Sequence, residues 1–331
     1  MLVSYAFLKD SRALTETVLS APGLELLLDS GAFTALNAGH EIGLADYIEF
    51  LHEWKKYLFG YMALDKLQDP VTTDANLQVM LREKLKPIPI HVFGDDGARM
   101  DQLFEWSRWV ALGGLRRPHR GAASPEYLKQ KMAWARGRRV HWLGYVRAAA
   151  LRAYKPFSAD CSSFASGVRY GHVQANAGRG EWRAFNLEQV NAEKSYLRAD
   201  VRQLLDDYGV PVEHFVDPRY WRNGGRVSGV DPRETVVMRL PCRSWVRYVM
   251  ETKRETGTRL FIASIPQSLQ HVLDAFEWWK GKYGDDDNAS VRDDSIRGVP
   301  PVAGGAGRGV VPAAPAQARL PRPRREDRPP R

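Results

Sequence analysis

The segments LELLLDSG (residues 24–31), YMALD (61–65), WVALGGL (109–115) and FSAD (157–160) decide the fold. Each is a short apolar run that stops on a carboxylate (Asp29, Asp65, Asp160) or on bare backbone (Gly113, Gly114). Helical patterns separate one run from the next. Such alternation argues for a parallel sheet, open or closed into a barrel. In a (β/α) barrel the active site is assembled from the carboxyl ends of several strands. Carboxylates gathered there beside open backbone suggest covalent chemistry at a sugar carbon, or the handling of a polar base.

Working outward, further strands are expected at residues 3–8, 87–93, 108–112, 139–144, 156–160 and 258–263, beside those at 24–29 and 60–65. Leu44, Tyr47, Ile48, Leu51, Trp54 and Leu58 fall on one face of a 3.6-residue period and predict a helix. Thr72 or Thr73 can cap a second helix, and Ser124-Pro125 reads as an N-cap followed by proline at the first helical position. Helices are also expected near 97–107, at 146–153, at 187–208 (ending at Gly209) and after Ser264. The pattern is that of an α/β (β/α)8 TIM-type barrel over 1–283. A loop-rich insertion after strand seven, about 166–257, would include a long loop at 166–185 and irregular chain at 210–245. Residues 284–331, rich in Asp, Gly, Ala, Pro and Arg without periodicity, read as a disordered tail.

A chain of 331 residues suffices for one large domain. Net charge +9 and a pI near 9.5 favour an anionic partner, with nucleic acid the first candidate. Six arginines after residue 318 stand against Glu326 and Asp327, so about four of the nine charges belong to the tail. Cys161 and Cys242 are the only cysteines, too few for a disulfide framework or a four-thiolate zinc site. They fit a reducing, cytoplasmic setting, and Cys161 reads as a small buried neighbour of Asp160. The N-terminus has no signal-peptide pattern, and no apolar run is long enough to span a membrane.

Three motifs together, FSAD160CSS followed by GVRYG (167–171), LDSGAF (28–33) and ALGGL (111–115), resemble the tRNA-guanine transglycosylase superfamily. The closer likeness is to its phage and bacterial DpdA-like branch, which places 7-deazaguanines in DNA. It covers residues 1–175 in order and, more weakly, the last strand and helix. The resemblance implies a barrel that binds an extruded guanosine and exchanges guanine for a base such as preQ0 or preQ1. Asp160 matches the nucleophile. Asp29 matches the proton donor and acceptor of the Asp29-Ser30-Gly31 motif. Asp65 matches a carboxylate set against the guanine edge, and Gly113, Gly114 and Leu115 match a backbone segment lining the base pocket. The chain departs from the tRNA enzymes in two places. Their zinc ligands have no counterpart beyond Cys242, so no cofactor is expected, and DNA is a better fit than tRNA as partner. Their base-reading glutamine is replaced in Phe93-Gly94-Asp95, with His91 nearby as a possible substitute reader.

The chemistry also stands on the residues. Displacing a purine from C1′ passes through an oxocarbenium-like centre, which a carboxylate can trap covalently. A second carboxylate can move the proton of the departing and incoming bases. Against this, each Asp could simply cap a helix or shape a turn, Asp65 could pair with Lys66, and His91 could be a satisfied core histidine. Arg116, Arg117, His119 and Arg120, which follow the Gly-Gly strand end, and Arg169 and Arg179, in the loop after Asp160, are candidate phosphate contacts. They could equally be solvated loop charges. Tyr170, Trp182, Tyr220 and Trp221 are candidate stacking residues. The expectation is DNA base exchange in a bacterial host, plausibly phage-encoded and with an accessory protein possible. The alternatives are exchange on tRNA, a non-catalytic nucleic-acid-binding subunit and a base-excising glycosylase.

Overall fold

A computed structural model of the chain describes residues 1–21, 23–66, 69–117, 121–122, 125–165, 171–222 and 229–284, with backbone only at 116, 117, 121, 122 and 165. Packing divides the chain into Met1–Asp287 and Asn288–Arg331, and every described element belongs to the first unit. The expected tail lies outside the described residues beyond Gly284.

The fold is mixed α/β. Its strands are β1 (Leu2–Ser4), β2 (Leu27–Asp29), β3 (Gly60–Tyr61), β4 (Ile90–His91), β5 (Trp109–Leu112), β6 (Arg116–Arg117), β7 (Gly121–Ala122), β8 (Arg139–Trp142), β9 (Ser158–Cys161), β10 (Val173–Asn176), β11 (Trp182–Phe185) and β12 (Arg259–Ile262). Its helices are α1 (Arg12–Leu19), α2 (Ala32–Asn37), α3 (Leu44–Trp54), α4 (Pro70–Arg82), α5 (Gly97–Trp106), α6 (Pro125–Ala135), α7 (Ala148–Tyr154), α8 (Leu187–Ala192), α9 (Ala199–Asp207), α10 (Val212–Val216), α11 (Val236–Thr256) and α12 (Leu269–Tyr283).

One parallel sheet has the order β1-β2-β3 and a second the order β12-β9-β8-β5-β4. Two single parallel bridges, Met62↔Ile88 and Leu2↔Ala263, tie each edge of the first sheet to an edge of the second. Backbone bonds support both ties: Ile88 N donates to Tyr61 O at 2.8 Å and Ser264 N to Leu2 O at 3.0 Å. The eight strands expected from the sequence are therefore all present, each shorter than its apolar run.

Strand alternation sorts the side chains into two cores. Leu2, Leu27, Ile90, Ala111 and Phe261 share one apolar cluster with Met62 and Ile88. Their chain neighbours Val3, Leu28, Val110 and Leu260 belong to the larger cluster that also includes helix residues such as Tyr47, Leu51 and Leu77. Both faces of the strands in these two parallel sheets are largely dry, which is why the runs are apolar without a polar period. The same alternation places Asp29 on the face of Leu27, and Asp160 on the face of Ser158.

Three expectations need correction. Residues 173–185 are not a loop but an antiparallel hairpin, β10–β11, with Val173 opposite Phe185. The expected helix 187–208 breaks into α8, a 3-10 turn at Ser195–Leu197 and α9. Residues 236–245 are not irregular but open α11, a 21-residue helix that ends at Gly257 in the left-handed region, φ 76°. Its buried residues cover a wide arc packed by β10, β12, α7 and α12, and leave one partly exposed stripe of Arg239, Arg243, Arg247 and Glu251. Pro241 inside it reads locally as a breaker, which hides the helix in the sequence. Two caps also differ. Asp69, not Thr72 or Thr73, caps α4 by accepting from Thr72 N at 2.9 Å. Ser264 bonds Ile265 O, while α12 starts only at Leu269 after a 3-10 turn. Ser124 lies outside the described residues.

Candidate active site

Three strand ends bring Asp29, Asp65 and Asp160 together. Asp29 and Asp160 line one cavity of about 610 Å³, with Ser4, Phe33, Leu143, Gly144 and His271 also on its wall. Ser30, buried next to Asp29 in the chain, donates from Oγ to Asp65 Oδ1 at 3.0 Å, so it ties Asp65 to the Asp29 strand end. Gly31 N donates to Asp29 Oδ2 at 3.1 Å. Gly31 has φ 84°, and a Cβ there would stand 2.8 Å from Ala6 N and 2.9 Å from Ser4 Oγ. Only glycine turns this tightly against β1, and the turn aims Asp29 into the cavity.

The electrostatics follow from this crowding. Burial, with the Asp65 and Asp160 charges adding to it, raises the Asp29 carboxyl to about 7. Asp65 is also raised by burial, against the Ser30 hydrogen bond that lowers it. A carboxyl titrating near neutrality can give and take a proton in one turnover. Asp160 is held differently. Gly144 N donates to its Oδ1 at 3.0 Å and His141 Nε2 lies 3.1 Å from the same atom. Both contacts fall on the same carboxylate oxygen.

The remaining expected residues fall elsewhere. Leu115 is wholly buried in the larger core. Gly114 has φ 70°, and a Cβ there would meet Phe93 Cβ at 2.6 Å. Its lack of a side chain is thus used against Phe93. Gly113 N donates to His91 O at 2.9 Å. His91 is buried, with Nε2 2.9 Å from Asp96 O and Nδ1 3.3 Å from Lys131 Nζ, so both ring nitrogens are engaged away from the cavity. Lys131 is itself buried, stands 4.7 Å over the Trp134 ring and also donates to Asp95 O at 2.6 Å. Burial lowers it to about 8. Lys66 pairs with Glu41 rather than with Asp65.

Arg116 and Arg117 form β6, paired to β7. His119, Arg120, Arg169 and Tyr170 lie outside the described residues. Trp182 packs on Trp245 with ring centroids 4.5 Å apart. Trp221 is buried with Nε1 bonded to Phe215 O, and Tyr220 stacks on His214 at 3.7 Å. Packing accounts for all three. Cys161 and Cys242 are both buried, and Cys161 Sγ donates to Ser163 Oγ at 3.0 Å. Among the described residues no group of three or more His, Cys, Asp or Glu could hold a metal ion, and no helix is long and apolar enough to cross a membrane.

Two features escaped the sequence reading. His141 on β8 touches Asp160, and its only signal was a histidine set between the apolar Val140 and Trp142 of a strand. The second is an open trough of about 2010 Å³ that shares Phe33 and Gly144 with the aspartate cavity. Arg147, Arg152, Arg179 and Trp182 line it.

No family model, curated protein or solved structure matches the chain.

Proposed function

We propose that this protein exchanges guanine for a 7-deazaguanine base in DNA through a covalent glycosyl–Asp160 intermediate. The observation that carries the reading is the pair of unlike carboxylates on one cavity: Asp29, raised to about 7, and Asp160, held by two donors. A carboxyl that titrates near neutrality suits the proton-transfer role, and the second carboxylate on the same cavity is placed for the nucleophile role. The two bridges that tie the sheet edges support closure of the eight parallel strands into a (β/α)8 barrel, with the aspartates at its carboxyl end.

In the first half-reaction an Asp160 oxygen bonds to C1′ as the C1′–N9 bond breaks. The electron pair goes to the departing guanine, which takes a proton from Asp29. In the second, the incoming base returns a proton to Asp29 as its nitrogen bonds to C1′ and the Asp160 ester opens. Two inversions retain the β-linkage. Asp65, beside Asp29 through Ser30, accepts from the N1–H and exocyclic amine of the base. The trough carries the strand to the cavity. Phe33, 63 % exposed at the border of both, offers its ring face to an extruded nucleotide.

The test uses purified protein with duplex DNA or tRNA and radiolabelled preQ0, preQ1 or guanine, counting acid-precipitable label. Label in DNA that vanishes with Asp160→Asn supports the reading. Label only in tRNA keeps the chemistry and replaces the partner. Alkali-labile abasic sites without label indicate a base-excising glycosylase. Binding without either reaction indicates a non-catalytic subunit, or a need for an accessory protein.

A further inference from the structure

Both hydrogen bonds that hold the Asp160 carboxylate fall on one of its oxygens. His141 Nε2 and Gly144 N reach Oδ1 at 3.1 and 3.0 Å. Among the described residues no hydrogen bond reaches Oδ2, although Asp160 borders the cavity. The imidazole is wholly buried, with the ring centroids of Trp109 and Phe261 6.1 and 6.2 Å away. Its other nitrogen, Nδ1, lies 2.8 Å from Ser158 Oγ.

The protons follow from these contacts. An ionised carboxylate only accepts, so Nε2 carries the hydrogen. A neutral imidazole has one N–H, so Nδ1 accepts and the Ser158 hydroxyl donates. Sheet register makes the arrangement a property of the backbone. His141 stands opposite Ser158 across the β8–β9 ladder, and Asp160 follows two residues later on the same face.

We infer that His141, locked by Ser158 as the Nε2–H tautomer, is a positioning residue that reserves Asp160 Oδ2 as the attacking atom. The inference rests on the exchange reading above. A lone pair on Oδ2 forms the bond to C1′, the C1′–N9 pair leaves with the purine, and Asp29 supplies the proton. Oδ1 becomes the ester carbonyl with its two donors in place. In the second half the Oδ2–C1′ pair returns to Oδ2, and the same donors stabilise the carboxylate that leaves. Fixed donors that need no reorganisation are the strong form of such assistance.

The experiment compares wild type, His141→Phe, which keeps a ring without donors, His141→Gln, which restores an amide N–H, and Ser158→Ala. Rapid-quench gels with duplex DNA and labelled preQ1 measure the covalent complex and the kcat and KM of exchange. Long-range proton–nitrogen NMR of the histidine rings reports the tautomer. His141→Phe is expected to slow covalent complex formation about 100-fold with KM for DNA nearly unchanged. His141→Gln is expected to recover about tenfold, and the wild-type spectrum to show Nε2–H. A wild-type rate in His141→Phe, a loss confined to KM, or an Nδ1–H tautomer would overturn the inference. If His141→Phe does not fold, Ser158→Ala decides: a mixed tautomer with a slower covalent step supports the lock, and an unchanged rate refutes it. A folded wild-type protein that exchanges no base even when host-cell extract is added overturns the exchange reading itself, and the role of His141 falls with it. An active wild type beside an active His141→Phe overturns only the role of His141.

Discussion

The Asp29 carboxyl keeps its proton to about pH 7, whereas an unfolded aspartate loses it near pH 4. Between these values the unfolded chain ionises and the folded one does not. The folded state therefore loses stability as pH rises through the window, and the loss is complete above it. Asp29→Asn removes the term. It should match wild type at pH 4 in urea unfolding and exceed it by roughly 2 kcal/mol at pH 8, below the full value of the shift because the side chain keeps some water contact. The same variant should lose exchange activity. A stability difference independent of pH would refute the assignment. Gly31 tests the turn behind Asp29. With φ 84° and Ala6 N at 2.8 Å from any added Cβ, Gly31→Ala should cost about 2 kcal/mol or more by the same measurement.

At the scale of elements, the hairpin β10–β11 and α11 take the place of what reads in sequence as loop. They hold each other chiefly through aromatics. Trp245 of α11 is buried, packs on Trp182 of β11 and sets its ring edge-on to Tyr248. Trp245→Ala should cost about 3–5 kcal/mol. Its signature in hydrogen exchange should be local, with protection falling across residues 173–185 while β8 and β9 keep theirs. Equal loss in both regions would mean that the hairpin and the parallel strands unfold as one unit.

For the whole molecule, the proposed strand path runs through the trough beside the aspartate cavity. Its lining mixes Arg147, Arg152, Arg179 and Arg254 with Glu181, Glu251 and Glu255, and Arg152 is occupied by Glu255 and by Arg179 O. Replacing Arg147 and Arg179 together by Ala should weaken DNA binding and flatten the plot of log K against log salt by up to about two units, one per lost phosphate contact. Replacing Arg116 and Arg117 by Ala, candidate phosphate contacts from the sequence, should flatten the slope in the same way. An unchanged salt slope in the first pair would remove the trough from the path of the strand.

Eight strands, most of the helices and three strand-end aspartates were legible in the sequence, because each depends on chemistry within a few residues. Dry faces need apolar runs, helices need a 3.6-residue period, and a strand ending on Asp in LELLLD or FSAD announces itself. What lay outside that range was decided only by tertiary contact. α11 hid because Pro241 interrupts it locally, and the hairpin hid because its turns carry loop composition. His141 hid because its partners arrive from another strand: register, not sequence spacing, sets it against Ser158 and Asp160. The raised Asp29 carboxyl is likewise a product of assembly, since burial and the charges of Asp65 and Asp160 act on it only once the strands are side by side.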